Sequence, residues 1–492
     1  MDASHNHSEA FKPMNIMNRV HSFSVRHFTF PISNALFNRR GIIRQYNSLK
    51  RTQHLSQDEL RSLQFRKTKS ILEYAFQHVP FYRERFSQIN FQPEEFKRLE
   101  DLRHIPPLTR DELINNRHKL IDSRWLNTAK KADASKRKPG EPAPLALFRG
   151  RHLVQNRSSG STGAPTVFYE NGSISAANWA NELRLRSWFG IPSGSSEARL
   201  VRITIDEAQN GNRISMRLRR WLWNQFTLPG ASLTREDLSY SANQLKRHNP
   251  KILWGATATL TCLAELLRES PELSRRIRPE LVVTWAAPMN STEYSIIKES
   301  FGCPVTNIYG GREVGHIGAR CEHGAIHLNQ ETVFLEEEFP QETDPSELIA
   351  TSLIPSPMPF IRYRMGDLGK LGQSPCSCGK SLQVLEELTG RTNEIYTSSS
   401  GFRISPGFWC DIFTPKNLGS SIKRFQIIYR PNDVIVVRIV RGSTYVQKTE
   451  LELKKSIQAK TPSSIAIEFE YPHEIWPALS GKYQMVVNES DK

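Results

Sequence analysis

No apolar run in this chain approaches the roughly 18 residues that a membrane-spanning helix requires. Its start, MDASHNHSEAFKP, has neither the basic flank nor the apolar core of a secretory signal. Both absences predict a protein that stays in the cytoplasm. Cysteine is scarce, six in 492 residues, too few to staple a chain of this length by disulfides. The glycine-rich stretch at 157–166 lacks the Gly-Lys-Ser/Thr ending of a P-loop NTPase, so nothing in it looks like a lysine on a β/γ-phosphate followed by a hydroxyl on magnesium. No zinc-finger, RNP-like or helix-turn-helix pattern accompanies the basic residues, so no nucleic-acid partner is expected.

Acidic residues are also short in number, 50 against 66 Lys and Arg, for a formal net charge of +16. Much of the excess lies in Arg39-Arg40, Arg44, Lys50-Arg51 and Arg66-Lys67-Lys69, and in Lys130-Lys131 with Lys136-Arg137-Lys138. The stretch from His21 to Arg40 interleaves basic and aromatic residues and is either a solvated arm or a contact for an anionic membrane surface, with Pro31 limiting any long helix. A chain of 492 residues exceeds one compact core and predicts a large domain plus a smaller one.

The spacing of Leu60, Leu63, Phe65, Ile71, Leu72, Tyr74 and Phe76 predicts helix from about Leu60 to Phe86, closing at His78-Val79-Pro80. Thr128 to Pro144, polar and basic, reads as an exposed loop. Val167–Tyr169 reads as a strand, and Ser173 as the N-cap of a helix reaching about Phe189. Strands at Ala198–Ile205, Lys251–Ala256, Glu280–Ala287 and Pro304–Tyr309 alternate with helices at Leu260–Arg268 and Thr292–Phe301. That alternation predicts an α/β fold with a parallel sheet. Short strands follow at Ala325–Leu328, Thr332–Leu335, Glu347–Leu353 and Phe360–Tyr363, as a β-subdomain. A self-contained α+β unit closes the chain: a hairpin of Lys423–Tyr429 and Val434–Val440, a helix over Val446–Ala459 and a strand at Ser464–Glu470.

Five strings carry chemistry. RSSGSTGAPT at 157–166 combines open backbone N–H groups with hydroxyls, a pattern that can wrap phosphate oxygens. YGGRE at 309–313, RYRMGD at 362–367, LTGRTNE at 388–394 and PALSGK at 477–482 follow in that order. Together they resemble the adenylate-forming superfamily of acyl-CoA synthetases. The chain looks most like the phenylacetate-CoA ligase branch and its CapK-like relatives in capsule-polysaccharide biosynthesis. HVPFYRERF at 78–86, Thr166 where most branches have Lys, and Cys-x-Cys-Gly at 376–379 favour that branch.

The resemblance implies a large domain over 65–390 and a small mobile domain over 391–492, preceded by a basic arm over 1–64. It implies that Ser158, Ser159, Gly160, Ser161, Thr162 and Gly163 cradle the phosphates of ATP, and that Glu313 holds Mg2+, a hard cation that prefers carboxylate oxygen. Tyr309 and Gly310 would lie against the adenine, Asp367 would accept both ribose hydroxyls, and Arg391 would touch ribose or phosphate. Lys482 would swing onto the α-phosphate, and Asn393 or Glu394 would be the pivot. Arg312 departs from the family's Thr or Ser and is free by its chemistry to meet the α-phosphate or the substrate carboxylate.

Cys376 and Cys378 supply two thiolates, and Cys321 with His327 would complete a tetrahedral site if the β-subdomain brings them together, His323 being the competing ligand. The branch has a comparable Cys/His pattern, which implies structural Zn2+. Cys262, Cys303 and Cys410 stand in apolar contexts and read as core. The expected reaction is activation of a carboxylic acid by ATP with release of pyrophosphate, then transfer to coenzyme A. An amine acceptor is the alternative, and a non-catalytic scaffold with a basic arm is the reading from another class. Trp254, Thr257, Trp285 and Ala286–Pro288 are candidates for lining the acid pocket.

Overall fold

The computed structural model describes residues 20–32, 41–133, 153–157, 166–201, 203, 205, 208, 218, 221–230, 233–338, 346–372, 375–391, 394–404, 408–409, 412–413, 421–442, 444–475 and 484–489. Five parallel strands form one half of the main sheet: β3 (Glu197–Val201), β4 (Gln225–Pro229), β5 (Ile252–Ala256), β6 (Leu281–Trp285) and β7 (Val305–Gly311). They lie in the order β4-β3-β5-β6-β7. Helices α8 (Arg235–His248), α9 (Thr257–Glu269) and α10 (Ser291–Phe301) make the crossovers. The strands read as near-continuous apolar runs because both faces are covered. The sequence expectation missed β4 and α8.

The short strands do not form a detached sheet. β7 pairs antiparallel with β8 (Gly315–Arg320), and the sheet continues through β9 (Ile326–Leu328) and β13 (Val384–Arg391) to β12 (Tyr363–Leu371), β11 (Ser346–Ser352) and β10 (Val333–Glu338). One sheet of 11 strands thus carries the α/β half and the β-subdomain. Residues 360–362 are not strand. Arg362 sits at φ 48°, a left-handed conformation that breaks extended pairing, so β12 begins at Tyr363 and carries the RYRMGD string into its interior. Arg362 is held there by Glu336 at 3.2 Å and by the carbonyl of Ile105.

N-terminal to the sheet, Ser56 and Glu59 form a reciprocal cap that starts α3 (Gln57–His78) three residues earlier than the apolar spacing indicates. Val79, extended before Pro80, ends it, and Pro80 opens the separate α4 (Pro80–Gln88). Residues 128–133 correct the loop expectation: they belong to a helix at Leu126–Asp133 whose Ala129 is buried, and 134–144 fall outside the described residues. Ser173 is the first residue of α7 (Ser173–Trp188) rather than its cap; that place is taken by Gly172 at φ 81°.

The C-terminal unit has its own sheet, ordered β18-β17-β16-β19, from β16 (Ile422–Arg430), β17 (Val434–Arg441), β18 (Ala466–Glu470) and β19 (Val486–Asn488). Its core of Trp409, Ile427, Tyr429, Ile435 and Val437 closes under the helix Gln447–Gln458. No helix among the described residues is long and apolar enough to cross a membrane.

Candidate active site

Tyr309 and Gly310 sit at the carboxyl end of β7, where ligands bind in sheets of this kind. Tyr309 is buried and its hydroxyl donates to Asp367 Oδ2 at 3.0 Å. Burial and the Asp367 carboxylate push that phenol far above its ordinary pKa. Asp367 lies directly opposite Arg391 in the β12–β13 ladder, and Arg391 Nε reaches Asp367 Oδ1 at 3.2 Å. The Asp367 carboxylate raises the guanidinium's pKa in turn. Glu394 accepts from the Arg391 backbone N–H at 3.0 Å, and burial pushes its carboxyl up to about 7. Register between β12 and β13 thus brings together residues 24 positions apart, and the hydroxyl of Tyr309, 58 positions away on β7, reaches the same carboxylate.

Glu313 projects from the turn between β7 and β8. That turn is compressed: a Cβ at Gly310 would stand 2.4 Å from the Gly315 carbonyl, so only glycine fits. Asn178 on α7 accepts from the His316 backbone N–H at 2.8 Å and fixes the turn from below. Burial raises the Glu313 pKa, with Arg391 opposing and Asp367 reinforcing that rise.

The loop of Ser158, Ser159, Gly160, Ser161, Thr162 and Gly163 lies outside the described residues, but its frame does not. β1 (Val154–Arg157) and β2 (Val167–Glu170) pair antiparallel with Arg157 opposite Val167, so the string is the connection of a hairpin. Arg312 Nη1 donates to the Arg157 carbonyl at 2.8 Å at one end. At the other, Arg110 Nε donates to Thr166 Oγ1 at 3.1 Å. Arg110 itself is placed by its neighbour Leu108, whose backbone bridges to Arg362 and Arg364 beside the RYRMGD strand. Sequence reading missed Arg110. The only local signal was the Thr109–Glu112 capping box, which starts a helix at that residue.

Lys482, Asn393 and Cys410 also fall outside the described residues. Among the pocket candidates, Trp254 is fully buried, donates to Glu197 at 3.0 Å and packs against the guanidinium of Arg199. It is therefore core, because an indole on a strand covered on both faces has no route to a cleft. Thr257 is also buried and binds the carbonyls of Trp285 and Ala287, while Trp285 and Ala286–Pro288 retain exposure at the strand ends.

A second cluster forms where the turn after β8 meets the loop between β12 and β13. The ligand atoms of Cys321, His327, Cys376 and Cys378 lie within 4.8 Å of one another. Cys321 and Cys376 sulfurs are 3.8 Å apart, too far for a disulfide and equal to the edge of a tetrahedron with bonds of about 2.3 Å. His327 Nδ1 is bound to the Leu382 carbonyl at 3.0 Å, leaving Nε2 aimed at Cys378 Sγ, 3.1 Å away. His323 instead pairs with Ser377 at 2.9 Å.

A many-stranded α/β sheet joined to a separate α+β unit is an architecture that this chain shares with solved acyl-CoA ligases. The chain superposes on a 2-hydroxyisobutyryl-CoA ligase in its postadenylation state with 2-HIB-AMP at TM-score 0.65 and 17% identity, covering 89% of this chain and 92% of that one. An open conformation of that ligase with 2-HIB-AMP and CoA gives TM-score 0.55 at 17% identity, over 88% and 92% of the two chains. In sequence the chain is similar to phenylacetate-coenzyme A ligases and to CapK. It is 25% identical to the phenylacetate-coenzyme A ligase of Thermus thermophilus over 376 residues, 69% of this chain and 72% of the relative. Protein CapK of Staphylococcus aureus is 22% identical over 454 residues, 90% and 92% of the two. Residues 396–489 match the family described as the CapK C-terminal domain.

Proposed function

We propose that this protein joins a carboxylic acid to ATP as an acyl-adenylate, releasing pyrophosphate, and then passes the acyl group to the thiol of coenzyme A with release of AMP. The observation that carries this reading is the Tyr309–Asp367–Arg391 constellation, with both ends of a Ser/Gly hairpin loop fastened to the same region by Arg312 and Arg110. One carboxylate offers two oxygens to a ribose diol, which makes Asp367 the ribose acceptor, steadied by Tyr309 and Arg391. The hydroxyl and N–H donors of Ser158–Gly163 suit a phosphate chain whose terminal part must leave. Glu313, a half-buried carboxylate at the strand end, would hold Mg2+, which when bound neutralises phosphate charge. Arg312 acts here as a brace for the loop. The acid would lie against Trp285 and Ala286–Pro288. Rotation of the C-terminal unit near Glu394 would let one water-shielded cleft serve both half-reactions.

A second acceptor class is favoured by one observation. CapK aligns with 90% of this chain and the phenylacetate ligases with 69%, and the CapK match includes the C-terminal unit. In this reading that unit would face the acceptor in the second half-reaction, so an amine in place of the thiol belongs in the acceptor screen. Acid-dependent ATP–pyrophosphate exchange tests the first half-reaction without knowledge of the acceptor. Exchange is expected with at least one member of a carboxylic-acid panel in the presence of magnesium. Failure with every acid, in protein shown to be folded, would favour the scaffold reading.

The three thiolates and one imidazole suit Zn2+ in a closed structural site, with Leu382 orienting the histidine. Metal analysis is expected to find about one equivalent of zinc. The Cys376→Ser/Cys378→Ser double variant should lose it and melt several degrees lower, because a bound structural ion contributes directly to folding. Metal-free wild-type protein with the same melting temperature as the variant would remove the site.

A further inference from the structure

We propose that the face built by helix α1 (residues 20–32) together with Leu218 and Trp221 docks this protein on an anionic lipid bilayer. Nine large apolar side chains are highly exposed among the described residues, and six of them belong to this face: Val20, Phe23, Phe28, Ile32, Leu218 and Trp221, each 53–62% exposed. Such a concentration is not the scatter expected of an ordinary soluble surface. The helix is firmly seated. His21 stacks on Trp221 at 5.2 Å, Thr29 donates to the Leu222 carbonyl at 2.8 Å, and a Cβ at Gly194 would come within 2.7 Å of the Arg26 backbone.

A π turn at Val25–Thr29 sets which side chains face outward. Its i to i+5 repeat places Val25 and Phe30 together on the buried side, against Ile42, Ala176, Ala180 and Trp223. The same repeat places Phe23 and Phe28 together on the open side, 6.4 Å apart. The seated face accounts for the fold; the open face has no such role.

Charge identifies the occupant. From Arg19 to Arg51 there are seven Lys and Arg and no Asp or Glu, and from Ala208 to Phe226 there are four Arg and no acidic residue. These two acid-free segments meet at His21 and Trp221. A short helix with exposed aromatic and aliphatic side chains and an exposed cation, Arg26, suits the headgroup layer, apolar side down, with the guanidinium against lipid phosphates. Single-stranded nucleic acid would use the cations and rings but has no complement for Val20, Ile32 and Leu218.

The test is sedimentation of the full chain with phosphatidylcholine vesicles, with and without phosphatidylglycerol, across a salt series. Binding is expected only with phosphatidylglycerol and should weaken as salt rises. Phe23→Ser/Phe28→Ser, at positions more than half exposed, should weaken it by about tenfold or more with an unchanged melting temperature. Trp221→Ser, from the other segment, should act in the same direction. Failure of the wild type to bind phosphatidylglycerol vesicles at low salt would overturn the proposal. So would wild-type binding by a folded Phe23→Ser/Phe28→Ser variant, or loss in that variant of a self-association or RNA affinity stronger than the vesicle affinity.

Discussion

Lys482→Ala is expected to slow acyl-adenylate formation by about 10²–10³, the range typical of losing one preorganised transition-state donor. The lysine follows Gly481 in the PALSGK string, and the resemblance assigns it to the α-phosphate during adenylation. Negative charge gathers on the equatorial oxygens there as the carboxylate attacks, so an ammonium in place is worth most at the transition state. Its removal should therefore lower turnover far more than ATP affinity. Conversion of supplied acyl-adenylate by the acceptor should be nearly unchanged, because in the proposed mechanism the C-terminal unit would by then have turned that lysine away. Single-turnover measurements of the two half-reactions separate these effects. Equal loss in both, or loss in neither, would refute the rotation mechanism for this protein.

Asp367→Ala should weaken ATP binding by about 10² or more, since hydrogen bonds to a charged group contribute roughly 1.5–3 kcal/mol each and two ribose hydroxyls are in play. The substitution also leaves the buried Tyr309 hydroxyl and the Arg391 guanidinium without the carboxylate they share. A nucleotide comparison separates ribose binding from that structural disturbance. Wild-type protein should prefer ATP over 2′-deoxy-ATP, and Asp367→Ala should bind both alike. Double-mutant logic then reads the carboxylate–hydroxyl coupling directly. Calorimetric titration showing the same preference in the variant would place the ribose elsewhere.

Local strings and periodicity reached much of this protein. The alternation of strand and helix between residues 198 and 309 determined a parallel sheet, because apolar runs of strand length separated by crossover helices have few other solutions. The self-contained C-terminal unit was legible for the same reason: its own apolar alternation closes its own core. Cys321, His327, Cys376 and Cys378 were legible as metal-ligand types, though nothing local dictated that residues 55 positions apart would meet.

Sequence alone determined the α/β class, the candidate phosphate loop and the residue types fit for nucleotide and metal. Tertiary structure decided their partners. Which residue faces Asp367 is a matter of register between β12 and β13, and register is set by pairing along whole strands, so Arg391 could not be placed by inspecting its neighbours. Arg110 meets Thr166 across 56 positions, and Arg312 meets Arg157 across 155. Neither bond leaves a periodic trace in the chain. Trp254 resembled a cleft residue until the sheet covered both its faces, and a π turn that no composition betrays decides which phenylalanines of α1 remain outside.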